Sequence, residues 1–142
     1  MSTIDTPRHE LIRKLLKRRP GSIPKTTAGL LQSLSVQLVT LICKRGFDSL
    51  YMRSRRLCSK QFPWLIPRPG TDQEDSLFLE LEMTLHGQPI DTAAAASEAL
   101  LATFLEILDT MIGEALASNI LQAAWGNEVS LLVSAAIEDE RG

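Results

Sequence analysis

Glycine-rich runs, clustered cysteines or histidines, and abundant aromatics are all missing from this sequence, and each absence removes a class of function. The eight glycines in 142 residues are scattered, so there is no phosphate-cradling loop of the Gly-x-x-x-x-Gly-Lys type. The two histidines, His9 and His86, and the two cysteines, Cys43 and Cys58, show no His-Glu-x-x-His or Cys-x-x-Cys spacing, which argues against a metal centre. Both cysteines fall on apolar arcs of expected helices and read as small buried hydrophobes in a chain without an export signal. The N-terminus is polar, and the basic run Arg13 to Arg19 is followed by neither an apolar h-region nor a cleavage site, so a cytoplasmic location is expected. Aromatics make up only 5% of the chain while Leu and Ala abound, which favours helices over a sheet sandwich. No convergent polar cluster of the kind an enzyme needs emerges, and no cofactor is implied.

What is present is helical periodicity. Between Asp91 and Trp125 the residues Leu101, Phe104, Leu105, Leu108, Met111, Ile112, Ala115, Leu116, Ile120 and Ala123 recur at spacings of three and four, the pattern of one long amphipathic helix. Asp91 follows Pro89 as a good N-cap, and Gly126 stands where a C-terminal glycine is wanted. Such a helix would run about 50 Å. Gly113 is out of place in its interior, where glycine costs about 1 kcal/mol against alanine. It marks either a bend or, with Ala117 one turn on, a close helix crossing.

Four further helices, or five, complete an all-α bundle. Thr6-Pro7 opens a basic helix that carries Ile12, Leu15 and Leu16 and stops at Pro20-Gly21. After an irregular connection over Ser22 to Lys25, a second helix runs from about Thr27 to Arg45, closed by Lys44-Arg45-Gly46. It is uncharged from Thr26 to Cys43 and apolar nearly all round, although Gln32, Ser33, Ser35, Gln37 and Thr40 interrupt it too often for a membrane span. A third helix, about Phe47 to Phe62, gathers Phe47, Leu50, Tyr51, Ser54, Leu57 and Cys58 on one arc, with Arg53, Arg56 and Lys60 on its flank. Pro63 ends it, and the proline-stiffened stretch to Gly70 should plug one end of the bundle. Thr71-Asp72-Gln73-Glu74 reads as a capping box for a fourth helix that reaches His86. Leu77, Leu79, Leu81, Met83 and Leu85 alternate there as in a strand. The caps and the good helix formers nevertheless favour helix, and a lone strand would have no partner. A short last helix through Val129, Leu132, Val133, Ala136 and Ile137 precedes the acidic end, Glu138 to Glu140. The whole reads as one domain: residues 1–25 a basic helix and connection, 26–126 the bundle core, 127–142 the short terminal helix and acidic tail. The expected core is Leu34, Leu38, Leu41, Leu50, Leu57, Leu81, Phe104, Leu108, Ile112 and Leu116.

Charge is divided along the chain. Residues 1 to 60 hold 13 Lys and Arg against 3 Asp and Glu, and residues 61 to 142 hold 2 against 14, although the net charge is only −2. Either basic and acidic helices neutralise one another within the fold or between subunits, or the basic half faces nucleic acid, a nucleotide or a membrane surface. On the folded domain Arg53, Arg56 and Lys60 form the candidate anion contact, with pairing to acidic residues of the later helices as the plainer expectation.

The phrases Gly46-Phe47-Asp48-Ser49-Leu50-Tyr51-Met52-Arg53-Ser54, Phe62-Pro63-Trp64-Leu65, Leu101-Ala102-Thr103-Phe104 to Leu108, Ile112-Gly113-Glu114 and Ala124-Trp125 resemble a loosely defined group of small, all-helical, uncharacterised bacterial proteins. The resemblance spans roughly residues 28 to 126. It implies a cytoplasmic helical fold and brings no activity and no site residues.

Neither histidine suits phosphotransfer, since each is expected in an end turn of its helix, and Glu106, Asp109 and Glu114 read as a solvated face. The expected function is therefore a non-enzymatic binding or regulatory module acting through protein–protein contacts, as a homodimer. Leu34, Leu38, Leu41, Gly113 and Ala117 are the candidate self-association residues, because five short neighbours cannot cover an all-round apolar helix and a long one. Nucleic-acid or other polyanion binding through the basic half is the alternative, and an apolar-ligand sensor a third. No membrane association is expected.

Overall fold

The apolar, uncharged stretch that begins at Ile23 forms the spine of the molecule. The computed structural model describes residues 5–17, 22–66 and 74–126. Helix α1 is Asp5–Lys17, α2 is Ile23–Cys58, α3 is Glu74–His86 and α4 is Ile90–Ile112. Residues 114–126 are helical again and form α5, and a 3-10 turn occupies Pro63–Leu65. The protein is an all-α helical bundle, with no strand among the described residues. The Leu77 to Leu85 alternation thus lies within a helix, as the stop signals indicated. The Thr71 to Gln73 part of the capping box, the stretch from Pro67 to Gly70, the Pro20-Gly21 stop and the terminal helix over 127–142 lie outside the described residues.

Helix α2 starts earlier than its composition suggests. Pro24 falls in the first turn, where its missing N–H has no helical partner to lose, so Ser22 to Lys25 is helix start and not irregular connection. The break expected at Gly46 occurs three residues sooner, at Cys43, whose backbone adopts φ 57 and ψ 173. This divides α2 into a first limb up to Ile42 and a second from Lys44. Gly46 still has a role in the bend. A side chain there would bring its Cβ to 3.0 Å from Ile42 Cβ, so the absence of one lets the chain close up across the kink.

The second interruption falls at Gly113. With φ 92 and ψ 150, Gly113 occupies backbone space that is essentially reserved for glycine. Its N–H closes α4 on Asp109 O at 2.9 Å, and its carbonyl accepts the first bond of α5 from Ala117 N at 3.0 Å. The expected single helix from Asp91 to Trp125 is therefore two. The second piece turns back onto the bundle, where Trp125 is fully buried and its Nε1 donates to Leu30 O of α2 at 3.1 Å. A Cβ at Gly113 would meet nothing, so the requirement is conformational. Gly113→Ala is expected to destabilise by about 1 to 3 kcal/mol in urea denaturation. An unchanged midpoint would show that α4 runs straight on.

Helix α2 packs against both α3 and α4, and α1 lies chiefly on α4. Where the second limb meets α3 and α4, four of the few aromatics converge. Phe47 lies 5.6 Å from Phe104 and 6.0 Å from Phe78, centroid to centroid, and Tyr51 lies 5.8 Å from Phe78. Of the expected core, Leu34, Leu38, Leu50, Leu81, Phe104 and Leu108 are buried. Ile112 is half-buried against them. Leu41, Leu57 and Leu116 are exposed instead. Leu41 lies in the last turn before the kink, where residues 39–45 are exposed except for half-buried Ile42. Leu57 falls at the margin of its helix's buried arc. Leu116 follows the Gly113 break, which resets the helical phase so that Ala117 and Ile120 face inward.

Candidate interaction surfaces

The second limb of α2 is held by a buried polar clasp that decides which of its cations face solvent. Arg55 sits 40° around the helix from Tyr51 and is fully buried. Its Nε donates to Leu65 O at 2.9 Å, which fastens the Pro63–Leu65 turn to the helix. Its Nη1 and Nη2 embrace the Glu80 carboxylate of α3 as a two-pronged ion pair. Thr84 Oγ1 donates to Glu80 Oε2 at 2.7 Å, and the Arg55 guanidinium lies 5.8 Å from the Tyr51 ring centroid. Burial opposes the charge of Arg55, yet the Glu80 hydrogen bond, with the fields of Tyr51 and Glu80, holds its pKa above the ordinary guanidinium value. Burial pushes the Tyr51 phenol up to about 12 against the opposing pull of Arg55. Nothing local in the sequence marks this cluster, because its partner carboxylate comes from 25 residues away.

Arg53 and Arg56, on either side of Arg55 in sequence, point outward, as does Lys60 in the turn closing the helix. The plainer expectation is that these three pair with acidic residues of later helices; among the described residues no ion pair to any of them occurs. Acidic partners go elsewhere, Glu80 to Arg55 and Glu98 to Arg13 of α1, whose Nη2 lies 3.0 Å from Glu98 Oε1. Neutralisation within the fold is thus real at the α1–α4 contact, between Arg13 and Glu98, and at the α2–α3 contact, between Arg55 and Glu80.

The candidate self-association residues do not form one surface. Leu34, Leu38 and Ala117 are buried in the chain's own core, since the break at Gly113 turns α5 back onto the bundle. Leu41 and Gly113 are exposed. What α2 shows to solvent is the opposite side of its first limb: Gly29, Gln32, Val36 at 65% exposure and Val39. Beside it, α3 exposes Leu79 (57%) and Met83 (66%). Val36, Gln32, Phe78, Leu79 and Glu82 help line a half-open groove of about 530 Å³ between the two helices. A smaller hollow of about 410 Å³ lies where α1 meets the start of α4. By length and composition α2 is the one helix among the described residues able to cross a membrane, with an 18-residue window of mean hydropathy 1.4, of which 33% is buried.

Cys58 is buried, as its position on an apolar arc implies, and burial raises its thiol pKa while its Sγ lies 3.5 Å from Thr103 Oγ1. Cys43 is exposed at the kink, not buried. His86 is exposed in the last turn of α3, and His9 lies within α1. Glu106 and Glu114 are exposed and Asp109 half-buried. No group of three or more His, Cys, Asp or Glu suited to a metal ion occurs among the described residues. Comparison with family models, with curated proteins and with solved structures finds no match.

Proposed function

We propose that this protein is a non-enzymatic, cytoplasmic helical module that acts through protein–protein contacts, and that its first partner is a second copy of itself. The observation that carries this reading is the exposed aliphatic face shared by α2 and α3, where Val36, Val39, Leu79 and Met83 all lie open to solvent. Val36 and Leu79 line the groove, and Val39 and Met83 lie about one turn further along their helices; exposed aliphatic side chains so placed are what a helix-packing partner covers. A two-fold pairing is the commonest cover, and it would bring the basic half of one chain within reach of the acidic half of the other. A bilayer is the weaker reading of α2, because the bundle core takes up Leu31, Leu34 and Leu38 and the outer face is broken by Gln32, Ser33 and Thr40.

Sedimentation equilibrium at tens of micromolar is expected to return twice the chain mass of 15.7 kDa. The double variant Val36→Glu, Leu79→Glu is expected to return a folded monomer, since it places carboxylates at the centre of the contact. A monomeric parent, or a variant that still dimerises, would rule out this surface.

A further inference from the structure

We infer that the outward ridge of α2's second limb is a binding site for the phosphate backbone of double-stranded nucleic acid. At 100° per residue, Arg45, Arg53 and Arg56 fall within an arc of about 80°, and Lys60 follows in the closing turn, so the four cations form a ridge roughly 20 Å long. All four are exposed, and none is paired with a carboxylate among the described residues. The contrast with Arg13 and Arg55, each of which holds a glutamate, is what separates this ridge from an ordinary solvated face. Two carboxylates of the later helices are directed elsewhere, Glu80 to Arg55 and Glu98 to Arg13.

The chemistry of the ridge selects its ligand. Three of the four cations are arginines, whose planar forks match phosphate oxygens in pairs. Ser49 is the one other exposed side chain between them on that arc, and no aromatic ring stands there: Phe47 and Tyr51 of the same limb face the core. Without rings on which to stack bases, single strands gain little. Membrane-surface helices need apolar side chains beside their cations, and here only Leu57, at the margin of the arc, is aliphatic and exposed. A duplex asks only for cations at the reach of its backbones, and a ridge of this length spans about six base pairs at 3.4 Å each. The ridge is a local positive patch on a chain of net charge −2, and its attraction for a polyanion is strongest at low salt.

The test is fluorescence anisotropy of the full chain with labelled DNA and RNA duplexes of about 20 base pairs, between roughly 50 and 200 mM salt. Four phosphate contacts predict a slope of log affinity against log salt of about −3.6, a loss of roughly 100-fold across that range. The triple variant Arg53→Ala, Arg56→Ala, Lys60→Ala is expected to reduce the slope to about −1. Lys14→Ala, Lys17→Ala, Lys25→Ala removes the same charge from other exposed positions and is expected to leave the slope unchanged. Circular dichroism reports whether the ridge variant folds. If it does not, Arg53→Gln and Arg56→Gln taken singly should each lower the slope by about 0.9. No duplex binding by the parent at low salt, an equal loss in the off-ridge variant, tighter binding of single strands, or binding of anionic vesicles in preference to duplexes would each overturn the assignment.

Discussion

Arg55→Met is expected to cost roughly 3 to 5 kcal/mol in urea denaturation, because it removes one partner from a buried ion pair. Arg55 is fully buried and Glu80 nearly so. With the guanidinium gone, the Glu80 carboxylate keeps Thr84 Oγ1 as a hydrogen-bond donor but loses its countercharge in a poorly solvated site. Leu65 O loses the donor that ties the Pro63–Leu65 turn to α2. The cost should therefore fall on both the α2–α3 contact and the end of the bundle. The double variant Arg55→Met, Glu80→Met removes the stranded charge as well and should recover much of the loss, since replacing a buried pair by apolar groups is often close to neutral. A single-variant cost below about 1 kcal/mol would mean that water reaches Glu80 and that the clasp is a surface pair.

Trp125→Ala should cost about 3 to 5 kcal/mol, the range for truncating a buried large aromatic. The indole is fully buried, and it is the anchor that returns α5 to α2 through the Nε1 to Leu30 O bond of 3.1 Å. Trp125→Phe separates the two contributions. It keeps most of the apolar contact and gives up one hydrogen bond to a helix carbonyl, a difference of about 1 kcal/mol. Hydrogen exchange in the alanine variant should rise first over residues 114–126, since α5 is joined to α4 only through Gly113. Were the chain one straight helix from Asp91, Trp125 would project beyond the bundle and its truncation would cost next to nothing.

Periodicity along the chain was enough to determine the helical class and most helix positions, because a helix is written in the local spacing of its apolar residues. The burial of Leu34, Leu38, Leu50, Leu81, Phe104 and Leu108 follows from the same spacing, as does the helical nature of α3, where cap and stop signals outweighed the strand-like alternation of its leucines. Gly46 and Gly113 were legible as interruptions, but their meaning was not. The bend near Gly46 is made by Cys43 with Gly46 yielding room, and Gly113 ends one helix and resets the phase of the next. That phase is why Leu116 is exposed while Ala117 and Trp125 are buried. The basic flank of Arg53, Arg56 and Lys60 was also visible in sequence, whereas the absence of an ion pair to it among the described residues was not. Which carboxylate meets which cation is set by helices folding together over 25 residues between Arg55 and Glu80 and 85 between Arg13 and Glu98. No local spacing encodes such distances. The tertiary structure alone decided that Arg55 would be buried while Arg53 and Arg56 face outward, because burying a guanidinium requires a partner and α3 brings the Glu80 carboxylate to Arg55.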